Sequence, residues 1–188
     1  MSPFLAIDTS GGTCVAVVAE GKTLASVSID DPMGHSENIG NAIAQVLSEA
    51  SLAPKQLSAV VVGRGPAPFT GLRVGIAAAL AFAEGVGKPL IGVVSHDAIA
   101  LAALTRSNAL TATRTNPLLI TTDARRKEVY YALYSGLNSH GVPIRVDGPA
   151  VIKPAALEEM LIDKNITPIS ASKSITAVSI AKLAEAQL

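Results

Sequence analysis

The chain has 188 residues, 49% apolar, 3% aromatic and 16% charged, with 15 Lys and Arg against 15 Asp and Glu. That is enough aliphatic material for a core and too little charge for disorder. Zero net charge excludes a strong chain-wide electrostatic footprint for nucleic acid. The single Cys14 excludes an intramolecular disulfide and a CxxC metal site. The apolar runs are broken short of the roughly 20 residues that span a bilayer. Met1-Ser2-Pro3-Phe4 lacks the basic-then-apolar pattern of a signal peptide. The expectation is a soluble, cytoplasmic, Ala-rich α/β protein.

Phe4 to Asp8 reads as a strand, and Thr9-Ser10-Gly11-Gly12 as a tight turn. Cys14 to Ala19 is a β-branched strand, Glu20-Gly21-Lys22 a hairpin turn, and Thr23 to Ile29 a third strand. Ser36 is placed to cap a helix, with Glu37 at its positive end and Ile39, Ile43, Val46, Leu47 and Ala50 at helical spacing. Ala59 to Val62 reads as a buried strand. The glycine-rich stretch 63–71 follows, then an Ala-rich helix from Leu72 to Gly85 capped by Thr70. Leu90 to Val94 is the next strand. Three antiparallel strands leading into a βαβαβ run is the order of the ribonuclease H-like unit found in actin-like ATPases, an analogy of fold alone.

The second half is thinner. Asp97 to Thr105 reads as helix, 107–116 as a polar loop, and Leu118 to Asp123 and Glu128 to Tyr134 as paired strands. Pro154 to Lys164 and Ala177 to Leu188 read as helices. The expected organisation is a first lobe over 1–96, with helix 177–188 packing back on it, and a reduced second lobe over 97–176.

Several residue groups could carry chemistry. The hydroxyls and N–H groups of Asp8-Thr9-Ser10 could cradle phosphate, or merely organise the turn. Stretch 63–75 lacks Gly-Lys-Ser/Thr, and Pro68 stands where a Gly-x-Gly-x-x-Gly would need glycine, so it is neither phosphate loop. Its two prolines and Gly65 and Gly71 specify a stiff strand-to-helix elbow. Asp8 and Glu37 could begin a two-metal nuclease centre, but Gly63-Arg64-Gly65 occupies the place of the third acid. His35, His96 and His140 stand far apart in sequence, so no metal site is expected and His35 is read as a loop anchor. Asp123-Ala124-Arg125-Arg126 could grip phosphate or a partner carboxylate, or form a solvated turn. On the Ala-rich helix, Ala77, Ala81 and Gly85 form one small-residue stripe. Ile76, Leu80 and Ala83 form another, expected on the sheet. The two helices flanking the elbow are expected to make a partner surface through Ile39, Ile43, Leu47, Ala77, Ala81 and Gly85.

Four blocks, Ala6 to Ser10, His35-Ser36-Glu37, Gly65 to Gly75 and Asp123 to Tyr130, together resemble the TsaB family, also called YeaZ. The motif residues that carry the resemblance are His35, Glu37, Phe69, Thr70, Gly71, Arg73, Asp123, Arg125 and Arg126, with Asp8, Thr9 and Ser10 as a vestigial phosphate loop. The resemblance implies an actin-like, two-lobed α/β fold. It implies a non-catalytic subunit, with no cofactor and no metal, of the bacterial machinery that makes tRNA N6-threonylcarbamoyladenosine. The implied partners are a TsaD-like catalytic paralogue and a TsaE-like ATPase, with a homodimer as an alternative pairing, tRNA reached only through the complex, and no membrane. Ala67 and Pro68 depart from a Gly-Ser common in that family, which weakens a phosphate role, and 164–170 is short, so either the second lobe is trimmed or a piece is absent from the sequence. An actin-like hydrolase or phosphotransferase remains the enzymatic alternative.

Overall fold

The structure, a computed structural model, describes residues 2–31, 34–106, 112–170 and 175–188. Two sheets organise it. The first has strand order β3-β2-β1-β4-β5, from β1 (Phe4–Asp8), β2 (Thr13–Ala19), β3 (Lys22–Ile29), β4 (Ala59–Gly63) and β5 (Leu90–Val93). β1, β2 and β3 are antiparallel; β4 and β5 add in parallel. That order is the ribonuclease H-like arrangement of actin-like proteins, so the sequence expectation holds at the level of topology.

The pleat sorts the first core into two layers. Leu5, Ile7, Val15, Val17, Val60 and Val62 point to one face, where α1 (His35–Glu49) and α2 (Phe69–Val86) cover them. Phe4, Ala6, Cys14, Ala16, Val18, Ala59 and Val61 point to the other, against α5 (Ala177–Gln187) and part of α3 (Ser95–Arg106). Both faces of the central strands are therefore dry, which is why β1, β2 and β4 read as unbroken apolar runs.

The second sheet, β8-β7-β6-β9, is built from β6 (Leu118–Asp123), β7 (Val129–Leu137), β8 (Pro143–Ile152) and the two-residue β9 (Ile169–Ser170). One face packs Leu133 and Tyr131 against Leu157 and Leu161 of α4 (Pro154–Asp163); the other packs Leu118, Ile120 and Tyr134 against Ile99 and Ala100 of α3. α3 thus serves both lobes: Ala98 and Leu101 enter the first core, Ile99 and Ala100 the second.

The helix starts differ from expectation. α1 begins at His35 after Gly34, and α2 at Phe69 after Pro68, so neither Ser36 nor Thr70 is the N-cap. The proline is pre-set for the entry and leaves Thr70 inside the first turn. α2 comes nearer to a membrane span than the sequence reading allowed, with 18 residues and mean hydropathy 1.4. In the fold it lays one face on the sheet. The polar loop expected over 107–116 lies mostly outside the described residues.

Candidate functional site

Asp8, at the end of β1, is fully buried, and its oxygens are spent within the fold. The Ser10 N–H donates to Oδ1 at 2.8 Å, and the Ser10 hydroxyl donates to the same oxygen. The Ser95 hydroxyl donates to Oδ2 at 2.8 Å, and Ser95 Oγ in turn accepts the Gly65 N–H at 3.2 Å. Burial pushes the Asp8 carboxyl up, while the Ser10 and Ser95 bonds hold it down. Asp8 is the knot that ties the β1 turn, the elbow and the start of α3. A Cβ on Gly63 would collide with this carboxylate and with Ser95 Oγ. That crowding is the physical reason β4 ends without an acid.

The hydroxyls of the turn are likewise directed inward. Thr9 Oγ1 donates to the Gly71 carbonyl at 2.8 Å, across 62 residues of chain. A Cβ on Gly75 would strike the Thr9 side chain, and one on Gly71 would strike the His35 ring. Gly71 and Gly75 are one helical turn apart, so the glycines of this block are two notches that let α2 sit directly on Thr9 and His35. His35 is held from behind, its Nδ1 3.0 Å from Thr13 Oγ1, and the Tyr130 hydroxyl donates to the Ala67 carbonyl at 3.1 Å. The block read from the sequence as a stiff strand-to-helix elbow is a docking joint for a helix.

That joint aims α2. Its inward stripe is Gly75, Ala79 and Ala83, the smallest residues, because the sheet and Thr9 come so close. Leu80, expected on the sheet, is instead 49% exposed, beside exposed Ala77, Ala81 and Gly85. Phe69 is 67% exposed, with the Arg73 guanidinium 3.6 Å over its ring. On α1 the expectation fails. Ile39, Ile43 and Leu47 are buried under the helix against Val17 and Val60, so they belong to the core and offer no surface. Glu37 is exposed in the first turn of α1, away from the cleft.

Between the lobes lies a cavity of about 340 Å³. The β1 turn forms one wall, and Thr122, Asp123 and Arg125 form the other. Arg125 is tied to Asp123 twice: its N–H donates to Oδ1 at 2.9 Å, and its Nε stands 3.7 Å from Oδ2. Arg126 is exposed at the hairpin tip. His35 and His96, distant in sequence, both line this cavity. Sequence reasoning set His96 aside because it stands far from the other histidines in the chain. It is fully buried, with Nε2 2.8 Å from Thr122 Oγ1 and no partner for Nδ1. Burial, with the nearby Arg145 charge, lowers it to about 4, so the ring is neutral at pH 7. Among the described residues no three His, Cys, Asp or Glu side chains are grouped to hold a metal ion.

Residues 32–184 match the family model of TsaD, tRNA N6-adenosine threonylcarbamoyltransferase. A TsaB protein, from Escherichia coli, is 33% identical over 158 residues, 84% of this chain and 65% of that one. YeaZ from Pseudomonas aeruginosa superimposes with a TM-score of 0.77 at 25% identity, over 98% of this chain and 91% of that one. The chain belongs to the TsaB (YeaZ) family. An uncharacterized Mycobacterium leprae protein is 40% identical over 163 residues, 84% of this chain but 41% of its own length. The chain thus spans between two fifths and two thirds of the length of these two curated relatives.

Proposed function

We propose that this chain acts in bacterial tRNA N6-threonylcarbamoyladenosine synthesis as a cytoplasmic, non-catalytic scaffold and activator. It pairs with a TsaD-like paralogue through the outward face of α2, and with that paralogue engages a TsaE-like ATPase. It meets tRNA through the complex. The pathway rests on family membership and on relatives named as tRNA threonylcarbamoyladenosine biosynthesis proteins. The pairing rests on one observation: Phe69, Leu80, Ala77, Ala81 and Gly85 form an exposed apolar face on a helix locked at its other side by two glycine notches. The non-catalytic role is supported by the commitment of Asp8, Thr9 and Ser10 to internal bonds.

The test is Ala81→Glu. A buried, unpartnered carboxylate costs several kcal/mol. The variant is expected to keep its circular dichroism and melting temperature and to lose co-elution with the paralogue on size exclusion. Retained co-elution places the interface elsewhere. Calorimetry with ATP and magnesium is expected to show no site near micromolar affinity, about −8 kcal/mol.

A further inference from the structure

The hairpin between β6 and β7 carries a tip that the partner face leaves unused. Arg125, Arg126 and Lys127 stand there in succession, all exposed. All three hold positive φ, at 65°, 50° and 63°. The Glu128 N–H donates to the Arg125 carbonyl at 2.9 Å and the Ala124 N–H to the Glu128 carbonyl at 3.0 Å, so Arg126 and Lys127 are the central pair of a closed turn. That conformation favours Asn and Gly, and long side chains hold it under strain. Backbone strain of this kind gathers at functional sites.

The tip is braced and its charge is unspent. At its foot Thr122 Oγ1 lies 2.8 Å from His96 Nε2, and the Tyr130 hydroxyl donates to the Ala67 carbonyl, so both strands are tied to the rest of the fold. Asp123 answers Arg125 at 3.7 Å. Glu128 follows the pair, and the pairing of Val129 with Ile152 brings exposed Lys153 level with it. Arg126 and Lys127 have no acidic partner among the described residues, and their main-chain N–H groups have no acceptor there. Ala124 and Val129 are half-buried, so the tip offers a protein partner no exposed apolar side chain. Lysine is depleted in protein–protein interfaces, whereas Arg, Lys and free backbone N–H groups are common donors to phosphate oxygens. Zero net charge excludes a chain-wide basic surface and leaves room for a local contact of this size.

We propose that Arg126 and Lys127, with their main-chain N–H groups, bind the phosphate backbone of tRNA directly once the complex is assembled. The contact rests on the pathway reading above and is made by this chain's own residues.

Arg126→Asn with Lys127→Gly removes both cations and installs the residue pair that such a turn favours. Binding of a fluorescein-labelled tRNA transcript to the chain mixed with its TsaD-like paralogue is followed by anisotropy across a salt series. The tip variant is expected to keep or raise its melting temperature and to co-elute with the paralogue. It is expected to bind tRNA at least tenfold more weakly at low salt, with the slope of log affinity against log salt shallower by about 1.5. Lys22→Ala with Lys55→Ala removes as many exposed cations from the first lobe and is expected to leave affinity and slope at the parent's values. An equal loss in that control reduces the effect to net charge and overturns the proposal. Poly-L-glutamate binding the parent as well as tRNA does, and weakened by the same tip variant, makes the tip a contact for an acidic protein and overturns the phosphate assignment. Parental affinity and slope in the tip variant overturn the contact alone, whereas a parent mixture that binds no tRNA overturns it together with the pathway reading.

Discussion

α1 and α2 lie on the same face of the first sheet, yet they treat their surplus apolar side chains in opposite ways. α1 buries Ile39, Ile43, Val46 and Leu47 and turns Glu37, Asn41, Gln45 and Glu49 outward. α2 buries Gly75, Ala79 and Ala83 and turns Leu80, Ala77 and Ala81 outward. An amphipathic helix spends its large residues on its own core. α2 is notched for close approach and keeps apolar side chains outward beside exposed Arg73 and Glu84. Two neighbouring helices with similar apolar spacing therefore present different surfaces.

Four substitutions or conditions test that difference. Ile43→Ala should cost roughly 2–5 kcal/mol of unfolding free energy in urea, with the folded fraction still pairing. A loss under about 1 kcal/mol would place α1 back among the surface helices. Acidification probes the cleft beside them. The His96 value is held below its ordinary 6.5, so the neutral ring contributes stability above pH 6.5 that is lost as pH falls toward about 4. That depression is worth roughly 3 kcal/mol. The expected fall in urea midpoint between pH 7 and pH 4.5 shrinks in His96→Leu, and equal slopes in both proteins refute the assignment.

Gly75→Ala drives a methyl into Thr9 and should cost about 1–3 kcal/mol. Adding Thr9→Ala, which removes the obstructing atoms, should return part of that loss; strict additivity in the double-mutant cycle would mean the notch is not the cause. Leu80→Ser is the mildest. Stability should move by less than about 0.5 kcal/mol, while pairing with the paralogue weakens about tenfold, an interface effect near 1.4 kcal/mol. A destabilised monomer with unchanged pairing would reverse the two faces.

The first sheet was legible because its strands are continuous apolar runs separated by glycine turns. The expected β1, Phe4 to Asp8, coincides with the observed strand. β8 was not legible. Pro143, Gly148 and Pro149 are poor strand residues, and the strand tolerates them through irregular pairing with β7 at the sheet's edge. The glycine-rich elbow was visible, but its purpose was not: that Gly71 and Gly75 face His35 and Thr9 depends on side chains brought from 36 and 66 residues away. The outward stripe of α2 could be seen from its period, whereas the position of Leu80 depended on how deep the notches let the helix sink. That His96 lines the cavity was not legible because its neighbours there come from β6 and the β1 turn.

Gly63 limits what the end of β4 can carry. The end of β4 is where a third carboxylate would complete a two-metal centre with Asp8. Any side chain there meets the Asp8 carboxylate and Ser95. An acidic residue at 63 is therefore not one mutational step away; Ser95 and the route of the elbow through Gly65 would have to change with it. Positions 63 and 95 are a coupled pair, and a side chain at the first calls for a change at the second.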